Sequence, residues 1–141
     1  MKVWNFHWFP SFHLGTNVIR RRKPTDPPSP NGFTTTFETL VKRGTRLSKA
    51  QKVVKKFKPF SSSQRKIEFN MYHTYKKDVK FCDETGVTLV GSWEINLPEN
   101  DGSDVDLYNF NLSFDGVAIS ITVQNQRTRE KHQTKFTCPI F

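Results

Sequence analysis

Alternating apolar and polar residues near the carboxyl end constrain the fold of this chain more than any other feature. From Leu107 to Phe114 every second residue is Tyr, Phe or Leu, and Asn or Ser lies between them. After Asp115-Gly116, the segment Val117–Val123 alternates in the same way with Val and Ile. A period of two residues is typical of a strand that buries one face, and Asp-Gly is a preferred hairpin turn. The sequence therefore predicts an antiparallel hairpin.

Further strand-like segments follow one another along the chain, separated by turn residues. They are Phe33–Val41, Val53–Phe60, Lys66–Tyr75, Val87–Leu97 and His132–Cys138, with one more indicated by the alternation of Trp4, Phe6 and Trp8. Gly91 indicates a bulge or a close approach by another part of the chain. A short helix is considered only for Ser48–Lys56, whose Lys and Val residues form no convincing helical stripe. We predict an all-β fold, an antiparallel β-sandwich of about seven to eight short strands.

A proline-rich segment at residues 20–32 interrupts this pattern. It begins with Arg20, Arg21, Arg22 and Lys23 and contains four prolines before it ends at Asn31-Gly32. Proline removes a backbone donor and is excluded from helices and central strands, so we predict an exposed loop. The basic residues suit a solvated loop edge, and they are also candidates for contact with nucleic acid.

Charge is distributed unevenly along the 141 residues. Residues 1–66 carry 15 Lys and Arg against two acidic residues, and residues 67–141 carry seven against 11. The formal net charge of +9 thus combines +13 in the first part with −4 in the second. A basic half indicates either a surface for nucleic acid or membrane or two faces of one fold that attract each other.

The motifs of common enzymes and metal sites are missing from the sequence. It has no phosphate-binding glycine loop, nucleophile elbow or zinc-protease motif. His73 continues the apolar face of a predicted strand, which favours a hydrogen-bonded histidine at the core or its rim. An acidic cluster lacks the order of a calcium loop and suits a solvated loop; its members are Glu99, Asp101, Asp104 and Asp106. We expect a protein that is not an enzyme and that needs no metal or cofactor.

The sequence also lacks the features of a membrane-spanning protein and of a disulfide-stapled protein. No stretch approaches the ~20 apolar residues of a membrane span. Cys82 and Cys138 are too few for a disulfide-stapled module, although they could pair with each other.

Lysines and aromatic residues are interleaved in KVVKKFKPF, residues 52–60. This pattern suits a nucleic-acid groove in which Lys meets phosphate and Phe stacks on bases. It suits an edge strand better, because outward lysines are a common protection against edge-to-edge aggregation.

Several short segments occur in a particular order between Phe12 and Phe141. They are FHLG (12–15), FETLVKRG (37–44), FKPFSSSQRKIEF (57–69), VKFCDETG (79–86), VG (90–91), EINLP (94–98) and FDGVAISITVQNQRTRE (114–130). In order and spacing they resemble the substrate-binding β-sandwich of the seventy-kilodalton heat-shock chaperones, and in particular their divergent twelve-type subfamily. No single motif is specific, so the resemblance depends on the whole series.

The resemblance implies a module that binds extended apolar peptides or unfolded proteins. In that family the peptide lies between two loops, is held by main-chain hydrogen bonds, and places a Leu-like side chain in one deep pocket. The residues that the resemblance assigns to peptide binding are Thr16, Val18, Ile19, Phe57, Phe60, Gln64, Ile67 and Phe69. Ile67 with Phe69 would form the pocket, and ordinary core packing is the alternative for both.

The chain also departs from the family. Residues 1–11 form an aromatic segment in place of the interdomain linker, residues 12–141 form a single sandwich, and neither an ATPase domain nor a helical lid is expected in the chain. We therefore expect a solitary or truncated relative, cytoplasmic, that would depend on ATP only through a separate ATPase domain. Its basic charge would favour neutral or acidic peptides. The alternatives are a nucleic-acid-binding β domain using residues 20–23 and 42–66, and a fragment without independent activity.

Overall fold

The computed structural model describes residues 7–8, 10–48, 52–59, 61, 63–100, 104–114 and 118–137. These residues form ten β-strands and no helix. In chain order the strands are β1 (His7–Trp8), β2 (His13–Arg21), β3 (Phe33–Val41), β4 (Leu47–Ser48), β5 (Lys52–Phe57), β6 (Lys66–Thr74), β7 (Val87–Asn96), β8 (Tyr108–Phe114), β9 (Ala118–Asn125) and β10 (Lys131–Thr137).

Eight of these strands form two antiparallel four-stranded sheets. Sheet I has the order β3-β2-β6-β7, and sheet II has the order β10-β9-β8-β5. The short strands β1 and β4 form a separate two-stranded ribbon. The chain passes between the sheets three times, before β5, before β6 and before β8. The predicted all-β antiparallel sandwich of about seven to eight strands is confirmed.

The hydrophobic core lies between the sheets because the strands alternate between buried and more accessible residues. In β8 the buried side chains are Tyr108, Phe110, Leu112 and Phe114, and in β9 they are Ile119, Ile121 and Val123. Sheet I contributes Ile67, Phe69 and Met71 of β6. The antiparallel pairing of β8 with β9 is as predicted, while the predicted turn at Asp115-Gly116 lies outside the described residues.

The loop predicted for residues 20–32 begins later than expected. Arg20 and Arg21 belong to β2 and pair with Thr34 and Phe33 of β3. The prolines do not oppose this pairing because the first of them, Pro24, comes after the strand has ended.

The region around β5 also differs from prediction. The helix considered for Ser48–Lys56, which the sequence did not support, is absent from the described residues there, since β5 begins at Lys52 and pairs with β8; residues 49–51 lie outside the described residues. The strand predicted for Val53–Phe60 ends at Phe57, shortly before Pro59. β5 lies at the edge of sheet II, as its lysines indicated.

Part of the aromatic amino-terminal segment is attached to the sandwich. His7–Trp8 pairs with Leu47–Ser48, and the N–H of Gly44 donates to the carbonyl of Pro10 at 2.9 Å. The strand predicted from Trp4, Phe6 and Trp8 is therefore described only as β1, because residues 1–6 and 9 lie outside the described residues.

Gly91 has both of the properties that the sequence indicated. The ladder between β6 and β7 pairs Met71 with Gly91 and then Tyr72 with Leu89, so Val90 is an extra residue in a bulge. A Cβ atom at position 91 would also collide with the ring of Phe136 on β10. This contact joins the edge strand of sheet I to the edge strand of sheet II and closes one side of the sandwich.

We predict that Gly91→Ala destabilises the fold by about 1–3 kcal/mol, because the added methyl group must displace the Phe136 ring. Denaturant unfolding followed by tryptophan fluorescence measures the change. Ser92→Ala, at the exposed neighbouring position, should change stability by less than about 0.5 kcal/mol. In a Phe136→Ala background the cost of Gly91→Ala should fall. An equal cost in both backgrounds would contradict the proposed collision.

Candidate functional site

The strands β2 and β6 are paired over only part of their length. His13–Thr16 pairs with Met71–Thr74. Beyond Thr16, β2 continues to Arg21 with β3 as its ladder partner, and the earlier part of β6 pairs with β7. Among the described residues, no ladder joins residues 17–21 of β2 to residues 66–70 of β6. Two main-chain edges therefore separate inside sheet I.

The side chain of Asn17 lies at the point where the two strands separate. Its Nδ2 donates to the carbonyl of Glu68 at 3.0 Å, and its Oδ1 accepts from the N–H of Asn70 at 2.8 Å. Thr16 Oγ1 donates to the carbonyl of Asn70 at 2.9 Å. The amide side chain of Asn17 thus takes the place of a main-chain peptide group. The strands are held one side chain apart instead of closing into a continuous ladder.

A cleft of about 380 Å³ opens where β2 and β6 separate. It is lined by seven of the eight residues that the resemblance assigns to peptide binding: Thr16, Val18 and Ile19 of β2, Phe57 of β5, Gln64 of the following loop, and Ile67 and Phe69 of β6. The eighth, Phe60, lies outside the described residues. Segments that are far apart in sequence thus meet at one cleft.

The cleft has a buried aromatic floor and a more exposed wall. The Phe57 ring lies 5.2 Å from that of Phe69 and stacks on Tyr108 at 5.3 Å between centroids, and Phe69 lies 5.7 Å from Phe110. Phe69 is only 9% exposed, as is Ile67, whereas Ile19 is 53% exposed. Ile67 and Phe69 therefore belong to the core as well as to the cleft, and Ile19 offers free apolar surface.

Gln64 is held beside the cleft by its own loop. Its side-chain amide donates to the carbonyl of Lys66 at 2.7 Å, and its N–H donates to the carbonyl of Ser61 at 3.2 Å. These bonds fix the chain just before β6 begins.

Several residues that line the cleft were not predicted from the sequence. They are Asn17, Glu38, Leu40, Lys55, Lys56, Lys58, Pro59, Glu68 and Phe110. Asn17 carried a usable signal, because Asn is disfavoured inside strands and here lies between β-forming residues. Glu38 and Glu68 could not be recognised as cleft residues from the sequence, since exposed Glu is common on strands.

The basic residues at the start of the proline-rich loop form most of their hydrogen bonds with other residues of the loop. Arg20 donates to both carboxylate oxygens of Asp26, at 2.6 and 3.0 Å. Arg22 donates to the carbonyls of Asp26 and Pro27, and the N–H of Lys23 donates to Asp26 at 2.8 Å. Among these four basic residues, Arg21 and Lys23 remain exposed at the surface.

We predict that Asp26 titrates far below an ordinary aspartate. The hydrogen bond from Arg20, followed by that from the Lys23 N–H, lowers the pKa of Asp26 from 3.8 to about 2. The carboxylate therefore stabilises the folded state above pH 3.8, and this contribution is lost as the pH falls through about 2. Carboxyl-detected NMR titration measures the pKa. Arg20→Gln should raise it, and Arg21→Gln should leave it unchanged; equal effects would contradict the assigned ion pair.

Part of the acidic segment before β8 has a structural role. Arg127 forms an ion pair with Asp106 at 2.6 Å, and Asn125 donates to the same carboxylate at 3.0 Å. Hydrogen bonds from Arg127, and then from Asn125, lower the pKa of Asp106 against the effect of burial. Asp101 lies outside the described residues. No group of three or more His, Cys, Asp or Glu side chains among the described residues is placed to hold a metal ion.

His73 is half-buried at the rim of the core, and its ring lies 5.3 Å from that of Phe12. The prediction of a hydrogen-bonded histidine fails for its Nδ1, which is buried and has no partner among the described residues. Burial accordingly lowers the pKa of His73.

Cys82 is a free thiol that donates to the carbonyl of Thr36 at 3.5 Å, and Cys138 lies outside the described residues. In the described part of the chain, no helix has the length and apolarity to cross a membrane. A comparison with models of protein families and a search of curated proteins found no match. Function is therefore inferred from the residues themselves.

Proposed function

We propose that this protein binds extended apolar segments of peptides or unfolded proteins in the cleft between β2 and β6, and that it is related to the substrate-binding sandwich of the seventy-kilodalton heat-shock chaperones. One observation carries the proposal. A single cleft is lined by residues of β2, of the β5–β6 region and of β6 that the resemblance assigns to peptide binding.

The chemistry of the cleft suits an unfolded chain. Residues 17–21 and 66–70 lie on two main-chain edges without a ladder between them. Side chains of the protein already bond the carbonyls of Lys66, Glu68 and Asn70, so an extended peptide would bond the N–H and C=O groups of these edges that remain. Every unfolded segment has N–H and C=O groups of its own, so hydrogen bonds to the main chain give an affinity that does not depend on the sequence of the peptide. Apolar side chains then bind over Ile19 and the aromatic floor, which favours segments rich in aliphatic residues.

The proposed activity is binding without chemistry. Among the described residues that line the cleft, no nucleophile is paired with a base, and the proposed binding needs no cofactor. Energy from ATP would enter only through a separate ATPase domain. Because the cleft is open to solvent, we expect a dissociation constant in the micromolar range or weaker. A role in protein folding or the stress response in the cytoplasm belongs to the same proposal.

Nucleic-acid binding through residues 20–23 has less support. Arg20 and Arg22 direct their guanidinium groups to acceptors inside the loop, so fewer cations are available to phosphate than the sequence suggests. In the other basic segment, residues 42–66, Lys55 and Lys58 line a cleft whose lining also includes the acidic Glu38 and Glu68.

The proposal predicts that Ile19→Asp weakens peptide binding by about fivefold or more, since it removes apolar surface and introduces an unpaired charge beside the peptide. Fluorescence anisotropy of a labelled Leu-rich heptapeptide measures the affinity. Leu89→Asp is a matched control, because Leu89 has the same 53% exposure and lies on β7 away from the cleft.

Both variants replace an exposed residue, so both should keep the fold. Binding by the wild-type protein and by Leu89→Asp, with a loss for Ile19→Asp, supports the cleft as the binding site. Absence of an anisotropy change up to millimolar wild-type protein, or equal affinities for the two variants, would refute it.

A further inference from the structure

A lysine lies on the inner face of β5, where the pattern of the strand calls for an apolar residue. Residues paired across an antiparallel ladder lie on the same face. Val53 pairs with buried Leu112, and Phe57 pairs with buried Tyr108. Lys55, between them, pairs with buried Phe110, so it belongs to the inner face and yet remains exposed. It remains exposed because it lines the cleft.

A glutamate has the corresponding position in sheet I. Glu38 of β3 pairs with Thr16, and Thr16 pairs with Met71 of the core. Glu38 therefore also belongs to the inner face, is exposed, and lines the cleft. β3 and β5 are the sheet edges away from the side that Phe136 and Gly91 close. Lys55 and Glu38 thus occupy opposite walls at the open side of the sandwich.

Neither of these charges is neutralised within the described part of the protein. The ion pairs found there involve other residues. Lys56 and Lys58 add positive charge on the side of Lys55, and Glu68 adds negative charge on the side of sheet I. The cleft is therefore basic on one wall and acidic on the other, whereas the basic charge of the sequence indicated only a preference for neutral or acidic peptides.

We propose that Lys55 and Glu38 select the charge of the bound segment, so that the preferred ligand is an extended apolar peptide with an acidic and a basic side chain on either side of its apolar residues. This inference rests on the proposed function and specifies its substrate class. An acidic side chain at the Lys55 wall and a basic side chain at the Glu38 wall would each form an exposed ion pair. A peptide with two like charges would meet one wall of its own sign.

The size of the effect follows from the exposure of both residues. An exposed ion pair changes an equilibrium by about two- to fivefold, and this gain is reduced by salt. A correctly charged peptide should therefore bind several-fold more tightly than a neutral one at low ionic strength. Because the two walls differ, one order of the charges along the peptide should be preferred over the reverse order.

The test uses labelled peptides with one common Leu-rich core. The flanking residues are Asp and Lys, Lys and Asp, two Lys, two Asp, or two Ser, and affinities are measured by anisotropy at low and high salt. For the wild-type protein we expect one mixed order to bind most tightly, by about two- to tenfold over the Ser peptide. In the double variant Lys55→Glu with Glu38→Lys, we expect the reverse order to be preferred.

Matched controls change the same charges elsewhere. Lys52→Glu lies on the outer face of β5 and Asp83→Lys lies on an exposed turn, and neither residue lines the cleft. These variants should keep the wild-type order of preference. Far-ultraviolet circular dichroism and thermal unfolding establish that each variant is folded.

The possible outcomes separate this inference from the proposed function. If the Ser peptide binds and the flanking charges have no effect, or if the double variant keeps the wild-type preference, the inference is overturned and peptide binding stands. If none of the peptides binds, the proposed function is refuted and the inference is overturned with it. A reversal of preference in the double variant supports both.

Discussion

In the described part of the chain, the contact between Phe136 and Gly91 joins the two sheets at one pair of edges, and the rest of the structure depends on that asymmetry. On the closed side, Phe136 of β10 packs against Gly91 of β7, where a side chain on residue 91 would leave no room for the ring. On the open side, residues of β3 and β5 line the cleft, among them the exposed Glu38 and Lys55. The cleft lies on this open side, so the site is a product of how the sandwich is closed.

The floor of the cleft and the core are built from the same side chains. Phe57 and Phe69 contact each other and also contact core residues of β8. A ligand on this floor therefore meets a surface that is already fixed by packing, which lowers the entropic cost of binding. The floor is consequently sensitive to substitution, since any change in it is also a change in the core.

The sequence predicts the strands better than it predicts their partners. β8 and β9 follow from a local period of two residues, and the apolar pattern of β6 likewise predicts its buried face. Lys55 could not be assigned to the inner face, because that depends on pairing with Phe110, more than fifty residues away. The end of β2 was predicted too early for a similar reason: Arg20 and Arg21 join the strand by pairing with β3, and their basic sequence before the prolines does not reveal that pairing.

The Asn17 side chain, which lies where β2 and β6 separate, affects which kinds of chain can reach the cleft. It holds two strand edges apart by roughly one side chain, whereas a folded sandwich is two sheets thick, with ~10 Å between the sheets. Under the proposed function, a single extended chain would enter between these edges, whereas the rim of a second folded copy would be too thick to do so. Exposed edges are normally an aggregation hazard. Under the proposed function, their position inside the cleft would favour unfolded over folded chains by thickness, before any side chain is recognised.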